Sequence, residues 1–320
     1  MRSMPTMICL HGLTPEQEAR VREAAPGWNI VFGRPKELDD KLFREAEVIC
    51  GWSPAIEKES LGEGGSLKWL QSWSAGVDKM PLGKLEQAGV ILTTASGVHP
   101  VPMSETALAM MLAFSRGLHH SVRSQLRGKW EPREPYAELN GATLAIIGAG
   151  EIGTELGRLG QALGMRTIGV RRTARPTPHM EETMAIEQLH DALARADYVV
   201  NVLPHTPDTE RVFGAAEFAA MKDSAVFVNI GRGVSVDTDA LVEALRSGAI
   251  GGAGLDVTDP EPLPEGHPLW AMEQVIITPH MGGSSERYKE RVTELFVRNL
   301  KSYLADGRPA RNIVDYERGY

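Results

Sequence analysis

Three segments late in the chain carry side chains suited to moving a proton alongside a hydride. They are Val228-Asn229-Ile230-Gly231-Arg232-Gly233, Leu255-Asp256-Val257-Thr258-Asp259-Pro260-Glu261-Pro262-Leu263 and Ile277-Thr278-Pro279-His280-Met281-Gly282-Gly283. Each begins in an apolar run that reads as a strand and ends in a polar turn. Ligands of open α/β sheets gather at the carboxyl ends of the strands. Arg232, Glu261 and His280 are therefore expected to converge although they are distant in sequence. Hydride transfer at a C–O centre needs a proton donor or acceptor, a group that polarises the carbonyl, and an anchor for a carboxylate. Histidine serves as acid or base near neutrality. A neighbouring glutamate would orient the imidazole and favour the protonated form used in ketone reduction. Arginine offers a planar fork that can hold a 2-keto acid.

The hydride carrier is indicated upstream. Residues 143–147 read as a strand that runs into Gly148-Ala149-Gly150-Glu151-Ile152-Gly153, and a helical pattern follows through 155–163. Gly148 permits the tight turn, Gly150 lets the backbone approach a pyrophosphate, and Gly153 lets the helix pack on the strand. The helix N-terminus offers free N–H groups to the phosphates. The next strand ends in Arg171-Arg172-Thr173, with Arg175 just beyond. An acidic residue here would accept the ribose hydroxyls of NAD. Arg171 and Arg172, assisted by Thr173, would instead receive a 2′-phosphate. NADP(H) is the expected cofactor, with NAD(H) a weaker possibility.

These segments need strands to position them. Apolar runs at 6–10, 29–32, 47–51, 67–73 and 90–93 alternate with helix-like stretches. The first such helix opens with Thr14 as cap, Pro15, and an acidic first turn. A second alternation places strands at 143–148, 165–170, 198–202, 225–229, 252–256 and 275–278, with a helix at 239–246 stopped by Gly248. Alternation of this kind implies βα units and parallel sheets. Between the two series a single long helix is expected over 102–127, apolar around so much of its circumference that it must be buried on several sides. Residues 128–138, rich in proline and charge, read as a surface loop. A last helix is expected over 284–305.

Composition narrows the function classes. A length of 320 residues fits two domains. The formal charge of −8 argues against binding nucleic acid or an anionic membrane through the overall field. Cys9 and Cys50, each in an apolar run, read as small buried hydrophobes rather than a disulfide or zinc framework. No metal-ligand set is expected, and Gly-x-Ser-x-Gly, the hydrolase elbow, is absent. No apolar stretch reaches the length of a membrane span, and the N-terminus lacks the features of a signal peptide. The expected location is the cytoplasm. Among the remaining histidines, His205 and His99 are the ones whose segments could reach the site. Trp69 reads as core, whereas Trp52 and Trp73 are candidates both for core and for the wall of a substrate pocket.

Taken in order and spacing, Gly148–Gly153, Leu203-Pro204-His205-Thr206-Pro207-Asp208-Thr209, Asn229–Gly233, Asp256–Leu263 and Thr278–Gly283 resemble the D-isomer-specific 2-hydroxyacid dehydrogenase family over nearly the whole chain. The resemblance implies two doubly wound parallel-sheet domains, Rossmann-like and flavodoxin-like, with an active-site cleft between them. It places a discontinuous substrate domain at 1–100 plus 287–320 and the dinucleotide-binding domain at 101–286. It implies that Arg232 binds substrate, that Glu261 pairs with His280, and that His280 is the general acid/base. Asp256 would contact the nicotinamide carboxamide. Leu203, Pro204, Thr209, Ile230, Gly231, Gly282 and Gly283 join the glycine loop in lining the cofactor. Ser74-Ala75-Gly76-Val77-Asp78 resembles the loop whose backbone N–H groups hold the substrate carboxylate, with Gly76 and Val77 as the expected donors and Trp52 nearby.

The expected activity is NADPH-dependent reduction of a small 2-keto acid such as glyoxylate or hydroxypyruvate to the D-2-hydroxy acid. The rivals are NAD-dependent oxidation of another small acid (3-phosphoglycerate, phosphite or formate) and a non-catalytic dinucleotide-sensing protein. The apolar long helix and the family resemblance both point to a homodimer.

Overall fold

Short apolar runs separated by polar helical stretches fold into two parallel sheets, one in each of two units of the chain. In the computed structural model, residues 4–77, 79–132 and 135–318 are described. The units are Met1–Val98 with Ser285–Tyr320, and His99–Ser284.

The first unit contains β1 (Thr6–Cys9), α1 (Pro15–Ala24), β2 (Asn29–Phe32), α2 (Asp40–Glu45), β3 (Ala46–Cys50), β4 (Trp69–Gln71), α3 (Leu82–Gln87) and β5 (Ile91–Thr93), with a C-terminal helix at Tyr288–Asp306. Its strands are all parallel and run in the order β2-β1-β3-β4-β5. This is the flavodoxin-like order, whose switch point lies between β1 and β3. Both faces of the sheet are covered, so its strands read as nearly continuous apolar runs. Thr14 caps α1 as its sequence predicts: its hydroxyl accepts from Gln17 N at 3.3 Å, and Gln17 Oε1 accepts from Thr14 N at 3.0 Å. Cys9 and Cys50 are buried free thiols opposite each other in register. A hydrogen bond between them, and burial, push the Cys9 thiol well above its ordinary range and keep it inert.

His11 follows β1 and lies flat against Trp73, ring centroids 3.8 Å apart. Burial, aided by the charge of Lys289, lowers its pKa to about 4. The native imidazole thus stays neutral while the unfolded one takes a proton near pH 6.5. Stability from this source is complete above about pH 6.5 and lost as pH falls toward 4. A His11→Phe variant is expected to lose about 1–2 kcal/mol less than the parent between pH 7 and 4, the figure being reduced for partial solvent access. Urea titrations at the two pH values would measure it, and equal losses would refute it.

The second unit comprises α4 (Pro100–Ser115), α5 (Leu118–Leu126), β6 (Thr143–Ile147), α6 (Glu151–Ala162), β7 (Arg166–Arg171), β8 (Glu182–Ala185), α7 (Leu189–Arg195), β9 (Tyr198–Asn201), α8 (Ala215–Ala219), β10 (Val226–Asn229), α9 (Thr238–Ser247), β11 (Gly252–Leu255) and β12 (Val275–Ile277). Its parallel sheet has the order β12-β11-β10-β9-β6-β7-β8, a doubly wound sheet that reverses between β6 and β9. One face packs on α7, α8 and α9 through Leu193, Phe213, Phe218, Phe227 and Leu241. The other packs on α4 and α6 through Met110, Met111 and Leu156. β11 contributes Gly254 and Gly252 beneath α4. A Cβ on these residues would stand 2.8 Å from Met110 Sδ and 2.9 Å from Phe114 Cε1, so the glycines let the helix lie close.

Three sequence expectations change. The long helix is two helices, because Gly117 takes a left-handed conformation (φ 64°) and ends α4 before α5 begins. It is also less enclosed than expected, with Leu112, Leu118, Val122 and Leu126 exposed. The edge strand β8 carries no apolar signal in the sequence, since Glu182-Thr183-Met184-Ala185 contains no apolar run. The last helix starts at Tyr288 rather than 284. Arg133 and Glu134 of the expected surface loop lie outside the described residues. No helix is long and apolar enough to cross a membrane among the described residues.

Candidate active site

The carboxyl edge of the second sheet is stitched rung by rung. Gly148 N donates to Val170 O (2.8 Å), Val202 N to Ile147 O (2.8 Å), Ile230 N to Asn201 O (3.1 Å), Asp256 N to Asn229 O (2.9 Å) and His280 N to Asp256 O (2.9 Å). The glycine loop, the 203 and 231 turns, Asp256 and His280 therefore stand side by side along one edge.

The glycine loop has the shape a dinucleotide needs. Gly148 sits at φ 99°, where a Cβ would be 3.0 Å from the Val202 carbonyl. Gly150 caps α6 and has open space where its side chain would be. Glu151, Ile152 and Gly153 form the first turn, and a Cβ on Gly153 would press on Ile146 Cγ2 at 3.0 Å. The amide ends of the helix thus face an uncrowded backbone cradle, which suits a pyrophosphate. Arg171 is the last residue of β7, next to the strand residue that receives the Gly148 N–H. Its Nη1 donates to Thr177 Oγ1 at 3.2 Å, while Arg172 and Thr173 are exposed. No carboxylate occurs between 171 and 175.

A buried amide network, not singled out in the sequence, shapes the next two turns. Asn201 and Asn229 are fully buried, as is Ser235. Asn201 Nδ2 donates to Asn229 Oδ1 (3.0 Å) and Ser235 Oγ (2.7 Å), and Asn201 Oδ1 accepts from Leu203 N (3.1 Å). Asn229 Oδ1 accepts from Gly231 N and its Nδ2 donates to Arg232 O, both at 3.1 Å. Gly231 packs so close that a Cβ would meet Leu203 O at 2.7 Å. Leu203 and Ile230 bury their side chains in the core. Thr209 Oγ1 donates to Pro204 O at 2.7 Å and so closes the 203–209 loop. An Asn229→Ala change strands several buried partners and is expected to cost about 2–4 kcal/mol, read by urea denaturation. A loss under about 0.5 kcal/mol, the range of ordinary surface changes, would contradict this.

The His280–Glu261 pair forms beyond the ends of β11 and β12. His280 Nδ1 lies 2.7 Å from Glu261 Oε1, both side chains partly exposed. His280 has a left-handed backbone (φ 50°), and Asp256 holds the turn that imposes it. Asp256 is buried, and its carboxylate accepts from Thr278 Oγ1 (2.6 Å), Met281 N (2.9 Å) and Gly282 N (2.9 Å). Most of its acceptor capacity is spent on this turn. Gly282 fits because a Cβ would stand 2.8 Å from Asp256 Oδ2, and Gly283 makes room for His99, whose ring lies against it. Arg232 rests its Nη1 on Gly231 O at 3.0 Å, and the following Gly233 packs on the Thr258 carbonyl in the Glu261 segment. His205 pairs with Glu210 at 2.9 Å.

In the first unit, residues 74–77 follow β4. Ser74 N donates to Ser72 Oγ (2.9 Å), and Ser74 O accepts from Ala95 N (3.0 Å). Val77 is buried and its carbonyl accepts from Met80 N (2.9 Å). Among the described residues, the N–H groups of Ala75, Gly76 and Val77 have no internal acceptor. Asp78 lies outside the described residues. Trp52 is half-buried and lines a groove of about 400 Å³ with Lys79, Met80 and Pro81. Trp69 and Trp73 are core: Trp69 is fully buried and donates to Thr93 Oγ1 at 2.9 Å.

The model of the D-isomer specific 2-hydroxyacid dehydrogenase, NAD binding domain, matches residues 108–282. A glyoxylate reductase of Aeropyrum pernix is 36% identical over 237 residues, which are 72% of this chain and 70% of that protein. A D-isomer specific 2-hydroxyacid dehydrogenase family protein of Aeromonas salmonicida is 33% identical, with a TM-score of 0.86 over 98% of this chain and 100% of the other. An NADPH-dependent glyoxylate/hydroxypyruvate reductase of Sinorhizobium meliloti, solved with NADP and sulfate, is 28% identical, with a TM-score of 0.80 over 99% and 100%. With its two parallel-sheet units and its glycine-loop edge, the chain belongs to the D-isomer specific 2-hydroxyacid dehydrogenase family and is an NAD(P)-dependent dehydrogenase.

Proposed function

We propose that the chain is an NADPH-preferring reductase of small 2-keto acids, glyoxylate and hydroxypyruvate among them, giving the D-2-hydroxy acid where a stereocentre forms. The observation that carries the reading is the 2.7 Å His280–Glu261 contact on the sheet edge that also holds the glycine loop and Arg232. The bound nicotinamide supplies the hydride. Glu261 accepts from His280 Nδ1–H, which leaves Nε2 to give a proton to the carbonyl oxygen. Arg232 holds the keto acid by its carboxylate and carbonyl oxygens, and the N–H groups of Gly76 and Val77 receive the carboxylate. Arg171 and Arg172, in a 171–175 segment whose sequence has no carboxylate, take the 2′-phosphate. The names of the Aeropyrum pernix and Sinorhizobium meliloti relatives support the substrate class, and the second supports the cofactor.

Initial rates with glyoxylate and hydroxypyruvate, using NADPH and NADH in parallel, test this. Fast NADPH oxidation with a weak NADH signal is the expected result. A strong NADH preference would overturn the cofactor assignment, and no turnover with either would overturn the substrate class.

The reading includes a homodimer. The exposed Leu118, Val122 and Leu126 of α5 give it an apolar face to cover. A light-scattering mass of one chain would refute it.

A further inference from the structure

Trp73 is clamped by side chains from three other segments of the first unit. The His11 ring stacks on the indole at 3.8 Å with an interplanar angle of 27°. The indole Nε1–H donates to Cys50 Sγ, the last residue of β3, at 3.1 Å. Tyr288, the first residue of the C-terminal helix, meets the indole edge-on at 6.0 Å, and its hydroxyl donates to the Trp73 carbonyl. That carbonyl belongs to the peptide leading into Ser74. The next anchors are the Ser74 bonds to Ser72 and Ala95, and the far end is held by buried Val77. The 74–77 stretch, whose Ala75, Gly76 and Val77 N–H groups have no acceptor among the described residues, is thereby fixed at both ends.

Such fixing matters because a loop that must order on binding loses affinity, whereas one already in place does not. His11 and Tyr288 each meet a specific group of Trp73, the face of its indole and its carbonyl. We propose that His11 and Tyr288 are positioning residues for the anion-receiving loop 74–77, acting through Trp73, and that they set its affinity for the carboxylate of a 2-keto acid. The proposal rests on the assignment of that loop to substrate.

The test is steady-state kinetics of Tyr288→Phe, His11→Ala and His11→Phe. Tyr288→Phe removes one hydrogen bond and is expected to raise KM for glyoxylate about three- to tenfold, with kcat and the KM for NADPH unchanged. His11→Ala is expected to do the same, and His11→Phe, which keeps the stack, to restore the parental KM. A purely structural role would lower the unfolding midpoint of the variants and leave the KM for the keto acid alone. That outcome overturns the proposal, as would equal changes in both KM values. Binding of oxamate, a non-reducible keto-acid analogue, to the holoenzyme provides an independent readout through tryptophan fluorescence. If the parent protein reduces no keto acid, the reductase reading fails. Oxamate affinity then decides the proposal alone: weaker in Tyr288→Phe and His11→Ala supports it, and unchanged refutes it.

Discussion

Replacing His280 by asparagine is expected to lower kcat for keto-acid reduction about a thousandfold while the KM for the dinucleotide stays unchanged. The size follows from the loss of a positioned proton donor, which contributes about 10²- to 10⁴-fold. The selectivity follows from geometry. His280 is held by its own left-handed turn, by Asp256 beneath it, and by Glu261 at 2.7 Å on Nδ1. None of these contacts runs through the glycine loop. Asparagine tolerates the left-handed backbone, so the turn survives the change. Glu261→Gln is expected to do less, about 10- to 100-fold in kcat, because it removes a charge-assisted hydrogen bond and leaves the imidazole in place. Stopped-flow or steady-state assays, with dinucleotide binding measured by fluorescence, separate the two effects. An enzyme that keeps a tenth of its turnover without His280 would mean that another group donates the proton, and His99, packed on Gly283, would be the first to examine. A sensor protein, by contrast, would keep its function in the asparagine variant.

Much of the second unit was legible because its chemistry constrains residue types. Gly148, Gly150 and Gly153 are glycines for three different steric reasons, and each reason reappears as a crowded or open Cβ position. The spacing of Arg232, Glu261 and His280 became meaningful once parallel strands were inferred, since their carboxyl ends must then align. The break at Gly117 was written in the sequence but outweighed by the apolar pattern on both sides of it. β8 gave no periodic signal, because an edge strand of Glu182, Thr183, Met184 and Ala185 needs only backbone pairing to β7.

Other parts were illegible for a different reason. The Asn201–Asn229–Ser235 network depends on which amide meets which carbonyl across three segments, and an asparagine in a sequence does not announce its partners. The same holds for His11, Trp73 and Tyr288, brought together from residues 11, 73 and 288 by the order of strands in the first sheet and by the return of the C-terminal helix. Asp256 shows a subtler case. The resemblance suggested a contact with the nicotinamide, and the structure gives its carboxylate three partners in the 278–282 turn after β12, so its largest visible task is to place His280.

The second large effect is expected at the end of β7. A double Arg171→Ala, Arg172→Ala variant should lose about 100-fold in kcat/KM with NADPH and change little with NADH. Each guanidinium is expected to make a charge-assisted hydrogen bond to the 2′-phosphate. Such a bond contributes about 1.5–3 kcal/mol when sheltered. Arg172 is exposed and Arg171 only partly buried, so a figure of about 1.4 kcal/mol each, or tenfold, is the more suitable one. The single Arg171→Ala change should account for more than half of the logarithmic loss, because Thr177 already holds that side chain and less freedom is surrendered on binding. Salt provides an independent check. Raising ionic strength from about 0.05 to 0.5 M shortens the screening length several-fold. The KM for NADPH in the parent should therefore rise, and the double variant should show a flatter response, as should the parent with NADH. If both cofactors respond alike to salt and to the double substitution, the arginines act on the pyrophosphate or on general field alone. Discrimination between the two dinucleotides would then have to come from elsewhere along the edge.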